Sequence, residues 1–471
     1  MQVAKKYKII ILILIAIVIS FWVILNSFIG KQKMTAITDL LSYDQQYLIK
    51  KYIFPYKVIK QHEATIDKLD ANIHKQSDAI TTLSNKLELI FRENLTNIEI
   101  QKVTEKELSN GLLLKNYYLI DGFYAGITTQ FAGSGYLDFH LNNLIVLSSR
   151  GVLGYSEGLD KISKIRQIKH NIDQFIGFDQ FIKKGSIKDL YIDNEKIFIS
   201  FTDEIEEDCW NTSLLVGDFN YENIKFKKLF SSNECVYSLE KKEKNIDGEF
   251  SMVTSGGRIV NFDDDHILLT IGDYRARYLS QDKESVNGKI LKINVNDSNY
   301  NIISMGHRNP QGLYYDIEKN YVLETEHGPF GGDEVNLIEV DDINKGNLLN
   351  FGWAISSYGE HYGGKHATGN IKKYKKYPLY KSHSEHGFVE PIHAFVPSIG
   401  ISEITKIEKN KYVLSSMKDK SLYFFNVNDV KKINDLERVE VFERVRDINF
   451  KDGKLYMFLE NTPSIGIISI K

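Results

Sequence analysis

The chain has 471 residues, with 59 Lys and Arg against 62 Asp and Glu and a formal net charge of −3. This balance lacks the large basic excess of nucleic-acid-binding proteins, so we expect no nucleic-acid partner. The length permits one large domain or two to three smaller ones, so the number of domains has to be inferred from the residue pattern along the chain.

An apolar run follows the short amino-terminal tail of residues 1–8. Residues 9–30 contain no charged side chain, and a helix of this length spans about 33 Å, enough for a bilayer core. No small-residue cleavage site follows, so the run predicts an uncleaved single-pass transmembrane anchor rather than a signal peptide. Three lysines closely precede it and two closely follow it, which favours a cytoplasmic amino terminus and an extracytoplasmic carboxyl-terminal domain.

Residues 31–111 form a polar, helix-prone segment. Apolar residues recur in it at heptad spacing, at Ile59, Ile66, Leu69, Ile73, Ile80, Leu83, Leu87 and Ile90. Such a seam predicts a helical stalk of about four heptads. Two interpretations stay open: the stalk joins copies of the chain into a homo-oligomer through a coiled coil, or it packs on its own globular domain.

Residues 112–471 change to the alternating pattern of strands. One motif recurs six times, and it consists of two alternating strands joined by a tight polar turn and followed by a polar exit. The copies are 137–151, 187–203, 258–273, 311–328, 401–419 and 445–461. Six such repeats predict an all-β fold, a six-bladed β-propeller.

The polar exits of these repeats occupy equivalent positions. Because equivalent positions of a propeller lie at equivalent depth around its axis, we expect the exits to form a ligand mouth on one face. The exits carry Arg150, Asp203, Asp273, Glu326 with His327, Lys418 with Asp419, and Glu460 with Asn461.

The two cysteines of the chain, Cys209 and Cys235, both lie in the β-rich region. Their spacing fits neither a zinc site nor a redox motif. In an oxidising compartment they would form a disulfide worth roughly 3 to 4 kcal/mol. The alternative is a pair of reduced thiols.

Glycine, arginine, histidine and acidic residues are concentrated in and around the fourth repeat. This region contains GHRNPQGL at 306–313, EHGPFGGDEVNLI at 326–338 and NFGW at 350–353. Together with GGRIVNF at 256–262, and in this order and spacing, these motifs resemble the glucose/sorbosone dehydrogenase family. That family includes the soluble quinoprotein glucose dehydrogenases and the aldose sugar dehydrogenases. The resemblance covers most of the chain after about residue 130 and implies a six-bladed propeller, in agreement with the repeats.

The resemblance implies oxidation of an aldose sugar with pyrroloquinoline quinone (PQQ) and calcium as cofactors. It places the quinone against Arg308 and Asn309, with Arg308 also in a catalytic role. It assigns calcium to the main-chain carbonyls of Gly328 and Pro329, and oxygen ligands of this kind suit that ion. It implies further cofactor contacts at Lys418, Arg444 and Arg446.

Cations in these places make chemical sense, because the cofactor carries several carboxylates and gains negative charge on reduction. If Arg444 and Arg446 lie on a strand, they point to the same face and reach one ligand. Without the resemblance, the simpler role of the two arginines would be cross-strand pairing with Glu440 and Glu443.

A sugar dehydrogenase also needs a base to accept the proton of the sugar hydroxyl. The resemblance implies this base in the stretch from Ser186 to Thr202, which contains no histidine. Asp193 stands nearest to the implied position, although an ordinary aspartate is a weak base and this one also suits a turn beside Asn194. The histidines that could replace it are His140, His266 and His327.

The sequence therefore supports two functions. The first is a membrane-anchored, PQQ- and calcium-dependent sugar dehydrogenase with an extracytoplasmic small-molecule substrate. The second is a catalytically inactive propeller that acts as a ligand-binding or scaffolding module. A third and weaker option is a propeller hydrolase or lactonase that uses calcium directly, and the fold alone does not choose among the three.

Overall fold

The computed structural model describes residues 93–119, 134–159, 161–177, 187–241, 243–365, 367 and 369–470, together with scattered positions between 64 and 90. The anchor predicted for residues 9–30 lies outside this part of the chain. Within it, no helix is long and apolar enough to span a membrane. The described positions between 64 and 94 are helical with exposed side chains, and the coiled-coil stalk and its self-association stay predictions.

The described residues form thirty strands, numbered in chain order. They are β1 Ile98–Glu99, β2 Lys102–Glu107, β3 Leu113–Tyr118, β4 Gly135–His140, β5 Asn143–Ser148, β6 Leu153–Ser156, β7 Lys164–Gln167, β8 Lys169–His170, β9 Ile187–Asp193, β10 Lys196–Glu206, β11 Cys209–Asp218, β12 Asn223–Ile224, β13 Lys227–Ser231, β14 Val236–Tyr237, β15 Gly256–Asp263, β16 His266–Ile271, β17 Lys289–Asn294, β18 Tyr300–Met305, β19 Pro310–Asp316, β20 Tyr321–Glu326, β21 Asp333–Glu339, β22 Leu349–Asn350, β23 His393–Phe395, β24 Ile401–Glu408, β25 Lys411–Ser416, β26 Ser421–Val427, β27 Ile433–Glu440, β28 Val445–Lys451, β29 Lys454–Leu459 and β30 Ser464–Ser469. Short helices lie at Val340–Asn344 and Asn370–Lys376, and 3-10 turns at Ile172–Gln174, Leu239–Lys241, Arg277–Gln281 and Ser384–His386.

Six of the sheets are the blades of a propeller. Their strand orders are β1-β7-β6-β5-β4, β13-β11-β10-β9, β15-β16-β17-β18-β22, β19-β20-β21-β23, β24-β25-β26-β27, and β2-β3-β30-β29-β28. The innermost strands β4, β9, β15, β19, β24 and β28 contact one another in that order, and β28 contacts β4 to close the circle. The predicted all-β, six-bladed propeller is therefore confirmed, and each sequence repeat corresponds to the two inner strands of one blade.

The last blade combines strands from both ends of the propeller. Strand β3 pairs with β30 from Leu114 opposite Ile468 to Tyr118 opposite Ser464, while β2 pairs with β3 and β1 joins the first blade. The propeller thus begins before residue 112, where the sequence pattern placed its start. Strand β2 escaped the pattern because it is a polar outer strand with mostly exposed side chains and no buried face.

Six apolar clusters fill the spaces between neighbouring blades. Between the first two blades, for example, Ile145 and Leu147 pack in one cluster with Ile197 and Ile199. Alternation along each strand sends apolar side chains to both faces of a blade, so both faces are buried against neighbours. This packing holds the blade ends in fixed positions around the central channel.

A buried polar layer crosses the channel. Arg258 forms ion pairs with Asp189 at 2.7 Å, Asp447 at 2.7 Å and Glu403 at 2.6 Å. Burial raises the pKa of Asp189 to about 7 and that of Glu403 to about 8, although Arg258 acts in the opposite direction on both. Three blades besides that of Arg258 contribute to the layer, which closes the channel beneath the cavity described below.

Cys209 and Cys235 form a disulfide, with their Cα atoms 4.7 Å apart. The bridge joins the start of β11 to the residue before β14, and these two strands pair with each other. The choice that the sequence left open is thus decided in favour of the bridged form.

Candidate functional site

A cavity of about 480 Å³ lies at the end of the channel above Arg258. All six blades contribute to its wall. The lining side chains and main-chain segments come from Tyr136, Lys188, residues 253–256, Arg258, Arg275, Arg308, Asn309, Gln311, residues 327–330, Asp333, Tyr362, Ser398, Gly400, Met417, Lys418, Arg444, Arg446 and Glu460. Of the six polar exits noted in the sequence, those at His327, Lys418 and Glu460 line this cavity, whereas those at Arg150, Asp203 and Asp273 are not part of its wall.

Seven of the eight candidate site residues line this one cavity. They are Arg308, Asn309, Gly328, Pro329, Lys418, Arg444 and Arg446. The exception is Asp193, which ends strand β9 and accepts a hydrogen bond from the side chain of Asn194 at 3.1 Å. Since β9 enters the cavity at its other end, through Lys188, Asp193 lies about 17 Å along the strand from that point. Asp193 therefore lies at the end of β9, beside the turn and outside the cavity wall, and it is not placed to act as the base.

Glu460 orients the two arginines of the last blade. The Nε of Arg444 donates to Glu460 Oε2 at 2.9 Å, and the Nε of Arg446 donates to Oε1 at 2.7 Å. Burial alone would raise the pKa of Glu460, but the two guanidinium groups outweigh it and lower the pKa. The arginines thus share the ionised carboxylate of Glu460, which directly follows β29. Glu443 bonds with Thr462 and Glu440 lies 3.9 Å from Arg438.

Arg308 is held against the segment that carries the predicted calcium carbonyls. Its Nη1 donates to the carbonyl oxygens of His327 at 2.8 Å and Gly328 at 2.6 Å, and its backbone N–H donates to Glu326 at 2.6 Å. A Cβ at position 328 would lie 1.5 Å from the carbonyl oxygen of Gly332. Only glycine fits there, so the loop that presents these carbonyl oxygens depends on it.

Lys188 is a cavity residue that the sequence did not single out. Its side chain is only 7% exposed, and its Nζ donates to the carbonyl oxygen of Met252 at 3.1 Å. Burial, reinforced by the nearby Arg446, lowers its pKa to about 7. A Cβ at Gly257 would lie 2.3 Å from the Cβ of Lys188, so the GGR motif makes room for this lysine. The adjacent charged residues Lys188 and Asp189, within the buried part of a strand, were the available signal.

His327 is the one of the three suggested histidines that lines the cavity. Its Nδ1 lies 3.7 Å from Asp333 Oδ1. Burial would raise the pKa of Asp333, but His327 and the amides of Gly400 and Ile401 outweigh it and lower the pKa. The other two histidines are structural: His140 contacts Tyr221 at 2.8 Å and His266 contacts Asp263 at 2.6 Å.

Two exposed aromatic rings form the rim of the cavity. Phe330 is 60% and Tyr362 54% exposed, and their ring centres are 6.1 Å apart. The guanidinium of Arg275 lies 5.7 Å from the centre of the Tyr362 ring. Such a rim offers a flat surface on which a planar or ring-shaped ligand can stack.

The charge of the cavity is strongly positive. Its wall contains Arg275, Arg308, Lys418, Arg444 and Arg446, against the two carboxylates of Asp333 and Glu460. Arg258 is balanced by its own carboxylate partners, and Lys188 adds little charge because burial lowers its pKa to about 7. Because several of these charges are buried side chains in a concave site, they are screened less than charges on an open surface. The cavity therefore suits a compact ligand with several negative groups.

Fold and site together define a β-propeller protein with a cationic ligand cavity on its axis. The family model described as Glucose / Sorbosone dehydrogenase matches residues 185–466 of the chain. This protein belongs to that family, as the motifs predicted.

Two curated relatives are similar to part of the chain. The aldose sugar dehydrogenase YliI of Escherichia coli is 26% identical over 229 residues, which cover 44% of this chain and 57% of the relative. The quinoprotein glucose dehydrogenase B of Acinetobacter calcoaceticus is 29% identical over 171 residues, which cover 30% of this chain and 34% of the relative. The chain thus spans about half of the first and a third of the second.

Solved structures confirm the fold. The apo-form of the soluble aldose sugar dehydrogenase of Escherichia coli superimposes with a TM-score of 0.53 at 19% identity, and the match covers 72% of this chain and 96% of that one. A glucose dehydrogenase structure gives a TM-score of 0.54 at 19% identity, with 72% and 96% covered.

Proposed function

We propose that this protein is a PQQ- and calcium-dependent sugar dehydrogenase. The observation that carries the proposal is that residues distant in sequence, Arg308, Asn309, Lys418, Arg444 and Arg446, line one cationic cavity. These are the positions at which the family resemblance implies cofactor contacts. Two relatives bear the names aldose sugar dehydrogenase and quinoprotein glucose dehydrogenase, which supports the same substrate and cofactor class.

The cavity fits the cofactor chemically. PQQ, when bound, supplies a quinone that takes up two electrons from the alcohol carbon of the sugar. Its carboxylates match Arg444 and Arg446, which Glu460 holds in fixed orientations. Arg308 and Lys418 add positive charge on the wall, and fixed cations favour the more negative reduced form of the ligand.

Calcium fits the carbonyl oxygens of Gly328 and Pro329. Both residues line the cavity, and hard oxygen ligands with flexible geometry are what calcium prefers. The loop cannot be rebuilt around a larger residue at position 328, because a Cβ would meet the Gly332 carbonyl. The carbonyl oxygen of Gly328 also accepts a hydrogen bond from Arg308, so the ion would share this oxygen with the arginine.

Lys188 is the base in this proposal. A proton acceptor works best when its pKa lies near the working pH, and burial lowers the pKa of Lys188 to about 7. The neutral amine then has a lone pair available for the hydroxyl proton of a sugar. His327, which lines the same cavity beside Asp333, is the alternative acceptor, and variants of the two residues distinguish them.

We further propose that the predicted helix at 9–30 anchors the protein and that the propeller faces the extracytoplasmic side. The Cys209–Cys235 disulfide supports an extracytoplasmic location of the propeller, because disulfides persist in oxidising compartments. The anchor would hold the enzyme near an electron acceptor in the membrane.

The test uses the full chain in detergent, with calcium and PQQ added, and measures PQQ binding by fluorescence quenching and dye reduction over a panel of aldoses. We expect saturable binding and turnover of at least one aldose. Lys188→Gln should keep binding and lose most turnover, whereas His327→Gln should keep both. The reverse pattern would identify His327 as the base that accepts the proton of the sugar hydroxyl. Absence of PQQ binding contradicts the proposal, and binding without turnover of any sugar favours the inactive ligand-binding module.

A further inference from the structure

A second cluster of ligand-type side chains lies behind Arg308, outside the cavity wall. It consists of His307, Glu324, Glu326 and Asn336. The side chains of His307, Glu324 and Asn336 have no exposed area, and Glu326 is 3% exposed. The cluster does not line the cavity and is distinct from the carbonyls of Gly328 and Pro329.

Strand register brings the cluster together. Glu324 and Glu326 lie on one face of β20, two residues apart, and Asn336 of β21 stands directly opposite Glu324. His307 enters from the loop before β19, with its ring stacked on Phe351 at 4.9 Å. Its Nδ1 lies 3.5 Å from Glu326 Oε1 and 3.8 Å from Glu324 Oε2.

Three buried atoms of the cluster have no hydrogen-bond partner. They are His307 Nδ1, Glu324 Oε1 and Asn336 Oδ1. Each such atom costs about 1–3 kcal/mol if it stays unpaired. Within the described residues, the two carboxylates receive hydrogen bonds from the Asn336 amide and, at Glu326, from the Arg308 backbone. Neither carboxylate forms an ion pair with a lysine or arginine there, so a positive charge is missing from the cluster.

We propose that this cluster is a structural metal site, with zinc as the ion that fits best. The ligands are His307 Nδ1, one oxygen each of Glu324 and Glu326, and Asn336 Oδ1 after its side-chain amide rotates by half a turn. A tetrahedral zinc with bonds of about 2.1 Å places its ligands about 3.4 Å apart, close to the 3.5 and 3.8 Å measured from His307.

The remaining contacts of the histidine agree with this role. Its Nε2 lies 2.8 Å from Ser304 Oγ, so Nε2–H can donate to the serine and leave the Nδ1 lone pair facing the carboxylates. All four ligands belong to the protein and are shielded from water, as in structural rather than catalytic zinc sites. The ion would hold the 306–309 loop against β20 and thereby position Arg308. The backbone N–H of Arg308 also donates a hydrogen bond to Glu326.

The competing explanation is a proton shared by Glu324 and its neighbours, since burial and Glu326 both raise the pKa of Glu324. Glu324→Gln separates the two, because the amide imitates a protonated carboxyl group but is a poor zinc ligand. As a matched control we choose His361→Gln. His361 is also a buried histidine with an unpartnered Nδ1, and it is not part of the cluster.

The experiment measures metal in the full chain by mass spectrometry. The protein is purified in detergent, treated with EGTA to remove calcium, incubated with zinc and desalted. We expect about one zinc per chain in the wild type and in His361→Gln, and an affinity at least about tenfold weaker in Glu324→Gln. The zinc-loaded wild type should also unfold at a higher temperature than the zinc-free protein.

A wild type without stoichiometric zinc after incubation overturns the proposal, whatever the variants do. The same holds if Glu324→Gln retains zinc with wild-type affinity. If Glu324→Gln does not fold, cobalt replaces zinc in the wild type, and the visible absorption of tetrahedral cobalt must appear and disappear with added zinc. None of these results depends on PQQ binding or sugar oxidation, so the experiment tests the metal site independently of the proposed function.

Discussion

Replacing Lys188 with methionine should make the propeller more stable at neutral pH while removing the proposed base. Methionine matches the length of the buried stem and carries no charge. In the folded protein, burial lowers the pKa of Lys188 to about 7, whereas an unfolded lysine has a pKa near 10.4. Between these values the unfolded chain binds one proton more than the folded chain, so wild-type stability rises with pH across this window.

The size of the effect follows from the same values. A pKa lowered from 10.5 to about 7 costs the folded state about 4 kcal/mol at pH 7, at 1.36 kcal/mol for each pH unit. The variant also leaves the Met252 carbonyl without its hydrogen-bond donor, which reduces the stability gained by the variant by about 1 kcal/mol. We therefore expect Lys188→Met to be about 3 kcal/mol more stable than the wild type at pH 7.

Urea unfolding of both proteins, without PQQ and calcium, at several pH values from 6.5 to 10 measures the difference. Other titrating groups are common to both proteins and cancel. The stability advantage of the variant should shrink as pH rises and reach zero or reverse near pH 10. A constant difference across this range, or a less stable variant at pH 7, would refute a buried neutral Lys188 and with it the choice of base.

Three further changes test other parts of the site. Arg446→Gln should weaken PQQ binding by about 10- to 100-fold in a fluorescence titration, because a charge-assisted hydrogen bond is worth about 1.5–3 kcal/mol. The control is Arg438→Gln, which should bind normally because Arg438 is exposed, pairs with Asp419 and is not part of the cavity wall. Gly328→Ala should abolish calcium binding by calorimetry, since its Cβ would meet the Gly332 carbonyl; unchanged affinity would contradict the assigned loop. Cys209→Ser should lower the free energy of unfolding by roughly 3 kcal/mol in non-reducing buffer, and equal stabilities would show that the bridge does not form.

The choice between Asp193 and Lys188 illustrates what a local motif leaves undecided. Both residues belong to β9, and a strand of this length places its ends nearly 20 Å apart. The pattern of the strand identifies neither end as the one that enters the cavity. That is decided by the direction in which the innermost strands run relative to the axis, together with the space that Gly257 leaves for Lys188.

Glu460 illustrates the same limit for charge pairing. Glu440 and Glu443 shortly precede Arg444 and Arg446 in the sequence, and short-range reasoning favoured them as partners. Because β28 pairs with β29, the end of β29 lies beside Arg446, and Glu460 forms the ion pair with that residue. Glu443 bonds with Thr462.

By itself, the sequence determined the number of blades and the family, because period-two alternation and glycine-rich motifs are local properties of the chain. It also selected Arg308, Asn309, Lys418, Arg444 and Arg446 as candidate site residues, since each lies in a recognisable motif. Only the tertiary structure decided that these residues share one cavity, that Lys188 and not Asp193 enters it, and that His307 meets Glu324 and Glu326. Those facts depend on blade packing and strand register, which bring together residues far apart in sequence and cannot be predicted from the pattern of a short segment.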